Sequence, residues 1–177
     1  MSEASASSET PLWRFSLHFY RQAGVADACI ALQDECGVDV NLLLFLLWLA
    51  GAKRQLSAAD VKALDGAVRS WRELTIIPIR NVRRALKGAG TLVEANRQEA
   101  LRTRIKAIEL EAERLQQEAL YNSSLSSPLR REAETTAAAC ANIAAYEQTL
   151  AAAFPKAAVD RLLAAFAAIK HDDIAAR

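Results

Sequence analysis

The chain has 177 residues, 52% of them hydrophobic but only 6% aromatic, with 22 basic and 21 acidic side chains. That length suits one domain burying roughly 70% of the surface its unfolded chain would expose, so its core needs neither disulfide nor metal. Six glycines and four prolines are too few for the many tight turns of a sandwich or barrel, and the alanine-rich remainder suits closely packed helices.

The opening segment MSEASASSET has no positive stretch followed by an apolar one. It reads as a polar, disordered tail over residues 1–9, not as a signal peptide. Thr10-Pro11 then starts a helix, with threonine as the N-cap and proline in the first turn. Trp13, Leu17 and Tyr20 form its inner stripe, widened by Phe15 and Phe19. A second short helix spans Val25 to Cys36 and ends at Gly37. Asp39 caps a third, Val40 to about Ala50, in which Leu42 to Leu49 are all apolar; such a helix belongs in the middle of a bundle. Its apolar run is far short of the roughly 20 residues a membrane span needs.

Ser57 and Asp60 form a capping box for a fourth helix. A fifth covers Ser70 to Lys87, bent at Pro78 and closed by Gly88 and Gly90. Thr91 and Glu94 cap a sixth, running to about Tyr121. In it Leu101, Ile105, Ile108, Ala112, Leu115 and Ala119 alternate spacings of 4 and 3, a coiled-coil-like seam. Ser127-Pro128 starts a seventh helix with Leu129, Ala133, Thr136, Cys140, Ile143 and Leu150 on one side. Phe154-Pro155 breaks the chain before a last helix with Val159, Leu162, Leu163, Phe166 and Ile169 inward. No strand is expected.

The fold class is therefore all-α: a single-domain bundle of seven to eight helices over residues 10–177. Residues 10–90 hold the N-terminal helices, 91–153 a long antiparallel hairpin, and 154–177 the C-terminal helix. Tyr20, Leu32, Leu43, Phe45, Leu46, Trp48 and Ile79 should be substantially buried. The 101–119 seam serves either this hairpin or a homodimer.

Charge is uneven along the chain. Residues 1–68 carry a net −3, residues 69–87 a net +5, and residues 88–177 a net −1. The basic segment places Arg80, Arg83, Arg84 and Lys87 at i, i+3, i+4 and i+7, on one helix face, with Arg72 two turns earlier. Arginines in that pattern bind carboxylates or phosphates. Alternatively the stripe pairs within the fold with the acidic faces of the hairpin, at Glu109, Glu113, Glu132 and Glu134.

Catalytic chemistry is poorly supplied. His18 sits on an aromatic helix, and His171 begins a C-terminal HDDIAAR turn whose adjacent side chains point apart. No zinc spacing, phosphate loop or nucleophile motif occurs. Asp34, Asp39 and Asn41 make an enzyme site only if they converge on a pocket with Arg72 or Arg80. No metal or cofactor is expected. Cys29 and Cys36 lie about 10 Å apart along a helix, too far to bridge, so the thiols read as reduced, as in a cytoplasmic protein.

Two blocks carry a resemblance. ACIALQD followed by VNLLLFLLW, and WREL followed by PIRNVRRALK, are similar to a family of small proteobacterial proteins known as a domain of unknown function. The similarity covers most of residues 12–120. It implies a soluble bacterial cytoplasmic protein and supplies no catalytic residues. The resulting expectation is a non-enzymatic interaction protein that docks an acidic partner surface through Arg72, Arg80, Arg83, Arg84 and Lys87. Nucleic-acid binding is the alternative.

Overall fold

The computed structural model describes residues 9–87, 92–126 and 131–169. Expectations for the 1–8 tail, for Gly88, Gly90 and Thr91, for Ser127-Pro128 and for the His171 segment lie outside those residues. The described residues form eight α-helices: α1 (Pro11–Tyr20), α2 (Val25–Cys36), α3 (Val40–Gly51), α4 (Ala58–Trp71), α5 (Ile77–Ala85), α6 (Ala95–Ser126), α7 (Thr135–Leu150) and α8 (Lys156–Ala168). The all-α class and the multi-helix bundle are as expected. One departure is a two-residue antiparallel pairing, Arg54–Gln55 (β1) with Arg131–Glu132 (β2), that ties the α3–α4 connection to the chain before α7.

Local chemistry sets the helix starts. The Thr10 hydroxyl accepts from the Trp13 N–H. The Asp39 carboxylate accepts from the Asn41 and Leu42 N–H groups, and Ser57 and Asp60 cap each other's backbone reciprocally. Each satisfies donors that the first helical turn leaves open. Gly37 closes α2 at φ +70°, a left-handed conformation that costs glycine least. α7 starts at Thr135, later than the sequence suggests, because the Glu134 carboxylate accepts from the Thr136 and Ala137 N–H groups and acts as its cap.

α3 lies at the centre, with ten of its twelve residues buried. α1, α6 and α7 pack around it, and α8 packs on α2 and α7. Leu32, Leu43, Phe45 and Leu46 are fully enclosed, and burying a side chain of that size is worth about 1.5–3 kcal/mol. Trp48 is half-buried, stacked on Phe45 and edge-on to Tyr121. Tyr20 departs from expectation at 37% exposure. The inner face of α1 centres on Leu12, Phe15, Ser16 and Phe19, and Tyr20 falls about 100° beyond Phe19. Ile79 is half-buried.

The largest departure is which face of α6 turns inward. Leu101, Ile108 and Leu115 of the apolar seam are exposed. The buried face runs through Glu109, Ala112, Gln116, Gln117, Leu120 and Ser124. α7 finds its main neighbours in α3 and α4, and α6 in α5, α3 and α1. Both long helices thus pack against the central helix. Ala138, Ala139 and Ala145 are buried on α7; their small side chains let its backbone approach α3 closely.

Candidate functional site

α4 and α5 form one rod joined by a π turn over Arg72–Ile76. The Ile77 N–H reaches the Arg72 carbonyl, five residues back. Pro78 explains the widening. Its ring has no N–H and collides with the carbonyl four residues earlier in a regular helix. One extra residue in the preceding turn relieves that conflict without breaking the rod.

The rod carries the basic stripe to α6. Arg80 donates to Glu109 at 2.8 Å, to Glu113 at 2.6 Å and to the Gln33 side chain of α2 at 2.5 Å. Arg83 donates through Nε and Nη2 to both oxygens of Glu109, the bidentate geometry that makes arginine–carboxylate pairs specific. Burial pushes the Glu109 carboxyl up, but the hydrogen bonds from Arg83 and Arg80 outweigh it and hold the group below its ordinary range. Glu113 goes the other way. Burial dominates there, with Arg80 opposing it, and the carboxyl rises although it touches a guanidinium.

Arg84 and Lys87, further along the same face, are exposed. Arg84 meets Asp34 of α2 at 3.0 Å, with the two side chains 47% and 46% exposed. Lys87 forms no ion pair among the described residues.

Arg72 points elsewhere. One Nη atom donates to Asp65 at 2.8 Å and to Asp39 at 3.1 Å. Asp65 is 1% exposed. Burial raises its carboxyl, and hydrogen bonds from Arg69 and Arg72 more than reverse the shift. Asp39 also accepts from Gln116 at 2.7 Å, and its backbone N–H donates to the Tyr146 hydroxyl at 2.9 Å. Gln117 donates to Asn41 at 3.0 Å and accepts from Ser16 at 2.8 Å. This buried cluster joins α1, α3, α4, α6 and α7. Only Gln116 Oε1 in it lacks a donor among the described residues.

The enzyme alternative needed Asp34, Asp39 and Asn41 in one place. Asp39 meets Arg72 and Asn41 lies a short step along α3, but Asp34 faces Arg84 on the surface. Among the described residues, no three His, Cys, Asp or Glu side chains gather as a metal site would require. No described helix is long and apolar enough to cross a membrane.

Asp65, Gln116, Gln117, Asn142 and Tyr146 were not legible as a polar framework. Asn142 shows why. Its amide donates to the Leu46 and Arg54 carbonyls and accepts from the Leu56 N–H. Its partners lie 86 to 96 residues away, and the only local signal is a polar residue inside an alanine-rich helix.

The family model described as a protein of unknown function, DUF2390, matches residues 11–120. The chain belongs to this family. The match runs from the start of α1 through most of α6, so it takes in the central helix, the π turn and the whole basic rod. No curated protein and no solved structure matches the chain. The family description names no activity, so no residue role comes with membership.

Proposed function

We propose that this DUF2390 chain is a non-enzymatic interaction protein of the bacterial cytoplasm that docks an acidic surface of a partner protein. The basic face divides the work. Arg72, Arg80 and Arg83 orient the rod, and Arg84 with Lys87 reaches the partner. The observation that supports this reading is the contrast in exposure along the stripe. The Arg80 and Arg83 side chains are 16% and 23% exposed, and each is held by Glu109. Arg84 is about half-exposed and paired with an equally exposed aspartate. A solvent-facing pair of that kind is worth about 0–1 kcal/mol, so a partner carboxylate displaces Asp34 at small cost. The three free cysteines fit a reducing compartment.

The test is affinity capture from bacterial lysate with quantitative mass spectrometry, comparing the native chain with Arg84→Glu/Lys87→Glu, each with and without nuclease. These two positions are chosen because reversal at Arg80 or Arg83 would set like charges against Glu109 and disturb the rod itself. A partner depleted with the variant and retained after nuclease supports protein docking. A catch that vanishes with nuclease replaces it with nucleic acid, whose affinity then falls steeply with salt. Identical catches refute a role for these two side chains.

A further inference from the structure

The exposed apolar stripe of α6 is a surface the docking reading does not use. Leu101, Ile108 and Leu115 are 42%, 57% and 41% exposed. They are spaced seven apart, so they stay within about 40° of one another around the helix. Trp71, 39% exposed, donates its indole N–H to the Ala112 carbonyl at 3.0 Å and borders the stripe between Ile108 and Leu115. Lys106, also exposed, lies about 200° round from Ile108. Lys106 therefore points away from the stripe.

The charges beside the stripe say what covers it. Arg97, Arg104, Glu111 and Glu118 repeat at the same interval of seven, on the outer flank of the apolar row. The first two are basic and the last two acidic. On the opposite flank, Glu109 and Gln116 are buried against the chain's own α5 and α3. Only the outer flank is open to select a partner helix. A parallel two-fold pair would set this open flank against the second copy's opposite flank, where Glu109 and Gln116 are already buried. An antiparallel copy sets the open flank against itself with its direction reversed, so basic residues meet acidic ones. Leu101 and Leu115 are equidistant from Ile108, and Arg104 and Glu111, like Arg97 and Glu118, are symmetric about a point half a residue before it.

We propose that the α6 stripe pairs with the same stripe of a second copy of this chain, antiparallel, about a two-fold axis at Ile108. Ile108 meets Ile108 of the second copy, and Leu101 meets its Leu115. Arg104 faces its Glu111, and Arg97 faces its Glu118. The surface is self-complementary, as an isologous dimer requires, and the flanking charges fix its direction. Arg114 already bonds Glu111 at 2.7 Å and Glu118 at 3.3 Å, but a carboxylate offers about four acceptor positions and takes a second guanidinium.

The experiment is sedimentation equilibrium of the full chain from about 1 to about 300 μM, a range suited to a small interface. A concentration-dependent monomer–dimer equilibrium is expected. Ile108→Glu should abolish the dimer. Arg104→Glu converts two attractive contacts into two repulsive ones and should weaken it by about tenfold. Arg104→Glu combined with Glu111→Arg rebuilds both contacts with signs exchanged and should return the affinity to within about threefold of native. For direction, Leu101→Cys mixed with Leu115→Cys should cross-link on oxidation in a Cys140→Ala background. Helix content and melting temperature guard each variant, and the charge exchange decides the matter if Ile108→Glu fails to fold. A monomer throughout the range overturns the proposal. So does a dimer indifferent to Ile108→Glu, or a double exchange no better than Arg104→Glu alone.

Discussion

The two long helices are held to the rest of the chain by opposite chemistry. α7 meets α3 and α4 mainly through buried alanines, Ile143 and the Tyr146 ring, with uncharged hydrogen bonds at Asn142, the Tyr146 hydroxyl and Thr149. α6 meets α5 through two arginines and two glutamates. Apolar contact depends on volume and is nearly blind to pH. Ionic contact depends on direction, and each partner that is removed leaves a charge in a half-dry place. The fold therefore has a centre that tolerates conditions and an arm that responds to them.

The sharpest way to break the centre is Phe45→Ala. Phe45 is fully enclosed on α3, and such truncation costs about 3–5 kcal/mol. Denaturant unfolding should show that loss with the whole molecule affected together. Arg80→Met attacks the arm instead. It leaves Glu109 with one partner and Glu113 with none of the Arg80 bonds, at a cost of about 1–3 kcal/mol. Amide exchange should speed up in α5 and the first half of α6 while α3 stays protected, and uniform loss of protection would show that arm and centre are one cooperative unit.

The centre was legible in the sequence and the arm was not. An all-apolar helix announces its own burial, and the caps at Thr10, Asp39 and the Ser57–Asp60 box are local signals a few residues long. The inner face of α6 carries no such signal. Its apolar seam has the better periodicity, yet Glu109, Gln116 and Gln117 turn inward, because Arg80, Asp39, Asn41 and Ser16 come from elsewhere to satisfy them. A pattern read along one helix cannot register partners supplied by another. The basic stripe was visible for the same local reason, but its division into Arg80 and Arg83, held by α6, and Arg84, at the surface, depends on where α2 and α6 lie.

Acid titration sharpens the comparison further. Asp65 and Glu109 are held below their ordinary values of 3.8 and 4.5. Their contribution is complete above about pH 4.5 and is lost as pH falls through the lower folded values, because the unfolded chain takes up those protons first. Glu113 has the opposite sign. Its folded value is raised, so its charge opposes folding at neutral pH and protonation relieves that. Unfolding midpoints measured from pH 7 down to about pH 3 should fall more gently in Glu109→Gln and more steeply in Glu113→Gln. Parallel profiles in all three proteins would remove these carboxylates from the account. The smallest effect belongs to Arg84→Ala. Its exposed pair with Asp34 predicts a stability change of no more than about 0.5 kcal/mol, measured by thermal melting; a larger loss would mean that the surface end of the stripe also carries load.

The π turn makes all of this a matter of phase. One residue added to a helical turn rotates everything downstream by about 100°. Trp71 and Arg72 lie on one side of that offset, bonded to Ala112 and to the Asp39–Asp65 pair, and Arg80 and Arg83 on the other, bonded to Glu109. Excising a single residue between positions 72 and 76 would spare every one of these side chains and still swing the whole basic face away from its carboxylates. In this protein the count of residues in one turn is as much a part of the arm as any of the charges it aims.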